Sequence, residues 1–223
     1  MTRLGSLSFC AALAMGAALL SCGGGSGGEG GTGGGGGVGG SGGAGVGGTE
    51  AVLAIVPGDG TVGGWVRDPS DPLVANKAAA IAVTMQEAVD LIDGGADPYY
   101  QPPAFSPNVF AWQNYKNTTV NPPDGYTIKM YILQMPTADQ AAALYGALVD
   151  GSHSLYSSTP EPWTDMSPAI GDASRIVNSG IDWWINFRKG VYYGEVFLGY
   201  AEKTDAAGKQ QTIDFVNALA AKM

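Results

Sequence analysis

The run that decides the fold is 181-IDWWINFRKGVYYGEVFLGY-200. Two stretches rich in aromatic and β-branched residues flank Lys189-Gly190, which has the composition of a two-residue hairpin turn. With that turn, Arg188 faces Val191, Phe187 faces Tyr192, Ile185 faces Gly194, Trp183 faces Val196 and Ile181 faces Leu198. The odd positions of the first strand then share one apolar face, and strand alternation makes that face the core. On the opposite face Trp184 stands against Glu195, Asn186 against Tyr193 and Asp182 against Phe197, so it is aromatic where a solvated face would be polar.

Upstream, Ser174 to Asn178 reads as a third strand of the same sheet, after an irregular segment from Gly151 to Asp172. Val109 to Lys116 and Tyr126 to Met135 read as a hairpin across Pro122-Pro123-Asp124-Gly125. The second of these strands is apolar on both faces, with Ile128, Met130 and Ile132 on one and Tyr131, Leu133 and Met135 on the other. That pattern predicts a central strand covered on both sides. Between the strand groups, Thr137 and Gln140 stand at capping-box spacing with Asp139 in the first turn, and Ala141, Leu144, Tyr145 and Leu148 line one helix face. A helix is expected from Asn76, with Ala78, Ile81, Ala82, Met85, Val89 and Ile92 as its stripe and Gly94-Gly95 as its end. Another runs from about Asp205 with Ile213, Val216, Leu219 and Ala220 inward. Helix, two strands, helix, three strands, helix is the order of an α+β fold. It predicts an antiparallel sheet of about five strands with helices packed on it, as an α/β/α sandwich in preference to a two-layer α/β arrangement.

The N-terminus carries an address. Arg3 precedes an uncharged stretch from Leu4 to Leu20, then Ser21 and Cys22, the layout of a lipoprotein signal cleaved before an acylated cysteine. Gly5, Ser6, Ser8 and Gly16 make the stretch a poor membrane span. From Gly23 to Gly48 the chain is nearly all glycine, which has nothing to pack and pays the largest backbone entropy on ordering. As a flexible coil it would span about 28 Å root-mean-square. The domain organisation expected is therefore a signal peptide over 1–21, a lipidated cysteine and tether over 22–49, and one globular domain over 50–223. Glycine motifs in the tether lack the strand and helix that a dinucleotide site requires.

Cysteine usage narrows the chemistry. Cys10 leaves with the signal and Cys22 carries lipid, so disulfides, thiol nucleophiles and thiolate-held metals are excluded from the domain. The formal net charge of −9, more negative once Arg3 is removed, argues against nucleic acid and against docking on anionic lipid through a basic patch.

The segments 88-AVDLIDGGADPYY-100, 110-FAWQNY-115 and 132-ILQMPTADQA-141, with Leu144 and Tyr145, resemble an uncharacterised family of bacterial exported and lipoprotein domains. Its members carry a helix ending in a pattern like I-[ND]-G-G-A-[ED]. A hairpin follows that ends in aliphatic–Met–small–Pro, before an alanine-containing helix with a tyrosine. The likeness spans roughly residues 75 to 200 and departs at Asp93, where Asn is usual, and at Asp97, where Glu is usual. It implies an exported domain and no particular activity. The order of elements is also similar to that of envelope lipoproteins with a PsbP-like sandwich.

No catalytic, metal or cofactor motif emerges. Asp90, Asp93 and Asp97 supply three carboxylates where a hard cation needs six or more oxygens. Ser152-His153-Ser154 lacks the nucleophile-elbow context, and His153 is the single histidine. Glu161 and Asp165 form a loop pair with no defined separation, the basis of the alternative reading as a carboxylate hydrolase of the cell envelope. The remaining constellation is Trp184, Tyr193, Glu195 and Phe197, aromatics with a polar group that suit a sugar, a small amphipathic ligand or a protein surface. The expectation is a non-enzymatic lipoprotein, held to a membrane by its N-terminal lipid, that binds a small molecule or an envelope protein. Gly23 after the cysteine, in place of an inner-membrane-retaining aspartate, favours the outer membrane, on its periplasmic or its surface side.

Overall fold

The structure, a computed structural model, describes residues 46–92, 96–100, 105–117, 126–148, 163–201 and 204–223. The signal, Cys22, the tether up to residue 45, Asp93, the turn at 122–125, Ser152, His153, Ser154 and Glu161 lie outside the described residues.

The chain runs α1 (Val46–Ile55), β1 (Val66–Arg67), β2 (Ala80–Ala82), α2 (Met85–Ile92), α3 (Asp97–Tyr100), β3 (Val109–Asn117), β4 (Tyr126–Gln134), α4 (Ala138–Ala147), β5 (Thr164–Asp165), β6 (Ala173–Asn178), β7 (Trp183–Lys189), β8 (Tyr192–Gly199) and α5 (Ala206–Lys222). The fold is α+β, with an open antiparallel sheet in the order β1-β3-β4-β8-β7-β6-β5 and β2 also on β3. Eight strands among the described residues replace the five expected. The additional ones, β1, β2 and β5, are two or three residues long, too short to carry a period-2 signal.

The helix expected from Asn76 to Ile92 is instead a strand followed by a helix. Gln113 Nε2 donates to the carbonyls of Lys77 (3.0 Å) and Ala78 (2.9 Å), and Arg67 Nη1 also donates to Lys77 O (3.0 Å). Those carbonyls therefore face side chains rather than amides four residues on. Ala80–Ala82 pairs with Phe110–Trp112, and the helix begins only after Thr84. There a capping box forms, with Glu87 N donating to Thr84 Oγ1 (3.2 Å) and Val83 N and Thr84 N donating to Glu87 Oε2 (2.7 and 3.2 Å). Of the capping box expected at Thr137 one half is present, the Thr137 side chain accepting from Gln140 N at 3.2 Å, while Gln140 Oε1 does not return the bond and is buried without a partner among the described residues. Asp205 caps α5 by accepting from Gly208 N at 2.8 Å.

In the β7–β8 hairpin the faces are as expected but the register is two residues away. Lys189 pairs with Tyr192, Phe187 with Gly194, Ile185 with Val196 and Trp183 with Leu198. The central turn residues are Gly190 and Val191, and Gly190 has φ 56°. Glycine thus takes the first central position, as a type II′ turn prefers, rather than the second. Because this offset keeps the pairing parity, Trp183, Ile185 and Phe187 still point inward. Ile181, expected in the core, precedes the strand and is 64 % exposed.

Apolar clusters lie on both faces of the sheet. On the inner face α1 (Val52, Ile55) and α5 (Phe215, Val216, Leu219) pack on Ile128, Met130, Ile132, Ile185, Val196 and Leu198. On the outer face Ala88, Tyr99, Phe105, Ala141 and Leu144 pack on Phe110, Leu133 and Tyr193. Strand β4 contributes to both clusters, the arrangement its two-sided apolar pattern predicts.

Candidate functional site

Strand pairing arranges the outer face in rows. The first is Phe110–Leu133–Tyr193–Arg188, and the second Trp112–Tyr131–Glu195–Asn186–Arg175. The third is Asn114–Lys129–Phe197–Trp184–Val177, and the fourth Lys116–Thr127–Gly199. Paired residues share a face, so each row is a line of neighbouring side chains.

The first two rows lie beneath α3 and α4 and hold a sealed polar layer. Glu195 is buried, and its Oε2 accepts from the hydroxyls of Tyr193 (2.9 Å) and Tyr99 (3.2 Å). Burial pushes its carboxyl up to about 8, against the smaller opposing effect of the Tyr99 hydrogen bond, so it is neutral at pH 7. Burial also raises the Tyr99 and Tyr193 hydroxyls and lowers the Arg175 guanidinium. Arg175 keeps its charge and lies 4.0 Å from the Tyr145 ring centre and 5.3 Å from that of Trp163. Glu195 Oε1, both carboxamide atoms of Asn186, and Arg175 Nε and Nη2 are buried without hydrogen-bond partners among the described residues.

The third and fourth rows open into a cleft of about 530 Å³, bounded further by Asp68, Ile181, Asp182 and Tyr200. Its floor includes Phe197, whose ring leans on Trp184 with centres 4.2 Å apart and planes at 58°. Ile181 and Tyr200 form an exposed lip, 64 % and 71 % accessible, joined where Ala201 N donates to Ile181 O at 2.7 Å. Tyr200 has φ 66°, the left-handed region that a bulky residue avoids. Its amide donates to Asp182 Oδ1 at 3.3 Å, and Ser179 Oγ lies 3.3 Å from Asp182 Oδ2. Burial raises the Asp182 carboxyl above the ordinary range. Lys116 is engaged by Asp68 at 3.1 Å, and Asn114 Nδ2 donates to Asp71 Oδ2 at 2.6 Å, tying the loop before β2 to the sheet.

The four residues expected to bind a ligand thus fall in two places: Tyr193 and Glu195 under the helical cover, Trp184 and Phe197 in the row that borders the cleft. Asp165 is exposed in β5, and Asp90 accepts from Gln86 Nε2 at 2.9 Å. Among the described residues no group of three His, Cys, Asp or Glu side chains converges as metal ligands. Lys129, Thr127, Asp182 and Tyr200, separated along the chain, were not singled out as site residues, although a signal for the cleft exists. On β4 the outward side chains change from Leu133 and Tyr131 to Lys129 and Thr127, and on β3 from Phe110 and Trp112 to Asn114 and Lys116. Both strands turn polar at the same rows, where the cover ends. No family model, no characterised protein and no solved structure matches this chain.

Proposed function

We propose that the protein is a lipid-anchored lipoprotein of the bacterial cell envelope, carried to the outer membrane by a diacylated Cys22, whose globular domain binds a ligand without transforming it. The domain is read as an α/β/α sandwich from which the outer helical layer is missing at one end. The observation that carries the binding role is that uncovered end. Its cleft lies within the 300–1,000 Å³ typical of ligand pockets and combines an aromatic floor with a few polar groups. In this reading Phe197 meets the ligand with Trp184 packed against its ring, and Tyr193 and Glu195 belong to the buried layer that holds their strand.

Two measurements test it. Thermal unfolding with a panel of amino acids, saccharides and alkyl amphiphiles is expected to give a rise in Tm with at least one class. Gly199→Val, which fills the cleft, is expected to abolish that rise, and a panel without any cleft-dependent shift removes the binding role. Mass spectrometry of the mature N-terminus is expected to find acylated Cys22, and Cys22→Ala is expected to give uncleaved precursor or soluble protein. An unmodified N-terminus at another residue would remove the anchor.

A further inference from the structure

We infer that the cleft takes an uncharged sugar ring of an oligosaccharide, stacked on Phe197. This rests on reading the cleft as a ligand site and names the ligand's class. A Cβ added to Gly199 would stand 3.0 Å from Thr127 Oγ1, 3.5 Å from Phe197 Cε1 and 3.6 Å from Asp182 Oδ1. A hydroxyl, an aromatic edge and a carboxylate therefore converge on one point that glycine leaves open. The Lys129 side chain, cross-strand neighbour of Phe197, makes no hydrogen bond or ion pair among the described residues.

Charge selects among ligands. Lys116 and Asp68 already pair at 3.1 Å, which leaves one ammonium at Lys129 and one carboxylate at Asp182. These balance, so the lining has no net field for a phosphate or a polyamine, and a chain of net charge −9 repels polyanions. An alkyl chain would remove water from Lys129, Asp182 and Thr127 without replacing their hydrogen bonds. An extended peptide recognised by strand addition needs an open sheet edge, whereas β3, β4 and β8 are each paired on both sides. Sugar hydroxyls both donate and accept, so one ring answers the carboxylate and the ammonium together. Its C–H face meets the Phe197 ring, and Tyr200 stands at the rim to close over it.

Isothermal titration of the detergent-solubilised full chain with cellotetraose, maltotetraose and chitotetraose tests the assignment. At least one is expected to bind. Phe197→Ala and Gly199→Val are each expected to weaken it at least about tenfold. Lys129→Met is expected to weaken it severalfold while leaving the fold intact, and Gln210→Ala on the exposed side of α5 to change nothing. Binding that survives both Phe197→Ala and Lys129→Met overturns the assignment, as does the absence of binding to all three sugars. If the sugars fail while an amino acid or alkyl amphiphile gives a shift that Gly199→Val removes, the cleft remains a ligand site and the sugar class falls. If neither probe depends on the cleft, both fall together.

Discussion

Glu195 holds its proton because its carboxyl is buried among tyrosine hydroxyls and, among the described residues, has no cation hydrogen-bonded to it. Its value in the fold, about 8, stands above the ordinary 4.5, so the fold prefers the neutral form. The stability tied to that proton is complete below about pH 4.5 and is lost as pH rises through about 8, up to about 5 kcal/mol in all. Urea denaturation from about pH 5 to pH 9 is expected to show this decline in the wild type and to lack it in Glu195→Gln. Parallel profiles for the two proteins would mean that the folded domain already carries an ionised Glu195. Tyr200 presents the converse economy, a strained backbone at an exposed position. Relieving its left-handed φ of 66° in Tyr200→Gly is expected to raise stability by about 1 kcal/mol and to weaken ligand binding. Equal or lower stability in denaturant would show that the Tyr200 side chain holds the fold rather than the ligand.

Between strands, the closest constraint is the pairing of Phe187 with Gly194, since a Cβ at position 194 would collide with the Phe187 ring. Gly194→Val is expected to destabilise by about 2–3 kcal/mol by overpacking, and Phe187→Leu by about 1–2 kcal/mol. The double variant is expected to be at least about 1 kcal/mol better than their sum, because the smaller side chain makes room. Additive losses would return Gly194 to the partner read from the sequence, Ile185. The difference lies in the turn: glycine suits either central position of a primed turn, and alternation is blind to a two-residue offset, so the faces are legible in the sequence and the partners are not. The Thr137 cap was legible because four residues carry it. The helix expected from Asn76 gives way to a strand because Ala80-Ile81-Ala82 fits both a helical stripe and a strand, and the long-range donors that decide between them, Arg67 and Gln113, are far away along the chain. The cleft was half legible, in the aromatic outer face of the last hairpin. The polar ends of β3 and β4 join that face only once the pairing of β4 with β8 is known.

Across the whole molecule the two sheet faces differ in cover, and the proposed binding role predicts that their aromatic residues differ in what they do. The inner face is packed by α1 and α5 over β3, β4, β8 and β7, where Phe215 meets Tyr115 with ring centres 5.0 Å apart and Trp65 at 6.1 Å, and it leaves a second cleft of about 400 Å³ between α5 and the β5–β6 end. The outer face is closed over its first two rows and open at the last two, where Phe197 is only partly covered. Phe215→Ala removes a ring enclosed on every side and is expected to lower stability by about 3–5 kcal/mol. Phe197→Ala removes a ring with one side on Trp184 and the other in the cleft, and about 1–2 kcal/mol is expected. Ligand binding should respond in the opposite order: lost in Phe197→Ala, and retained by the folded fraction of Phe215→Ala. Urea midpoints and titration of the same two variants give both quantities. Comparable destabilisation by the two would mean that Phe197 is a core residue, and the open rows would then be unfinished packing rather than a surface kept clear for a ligand.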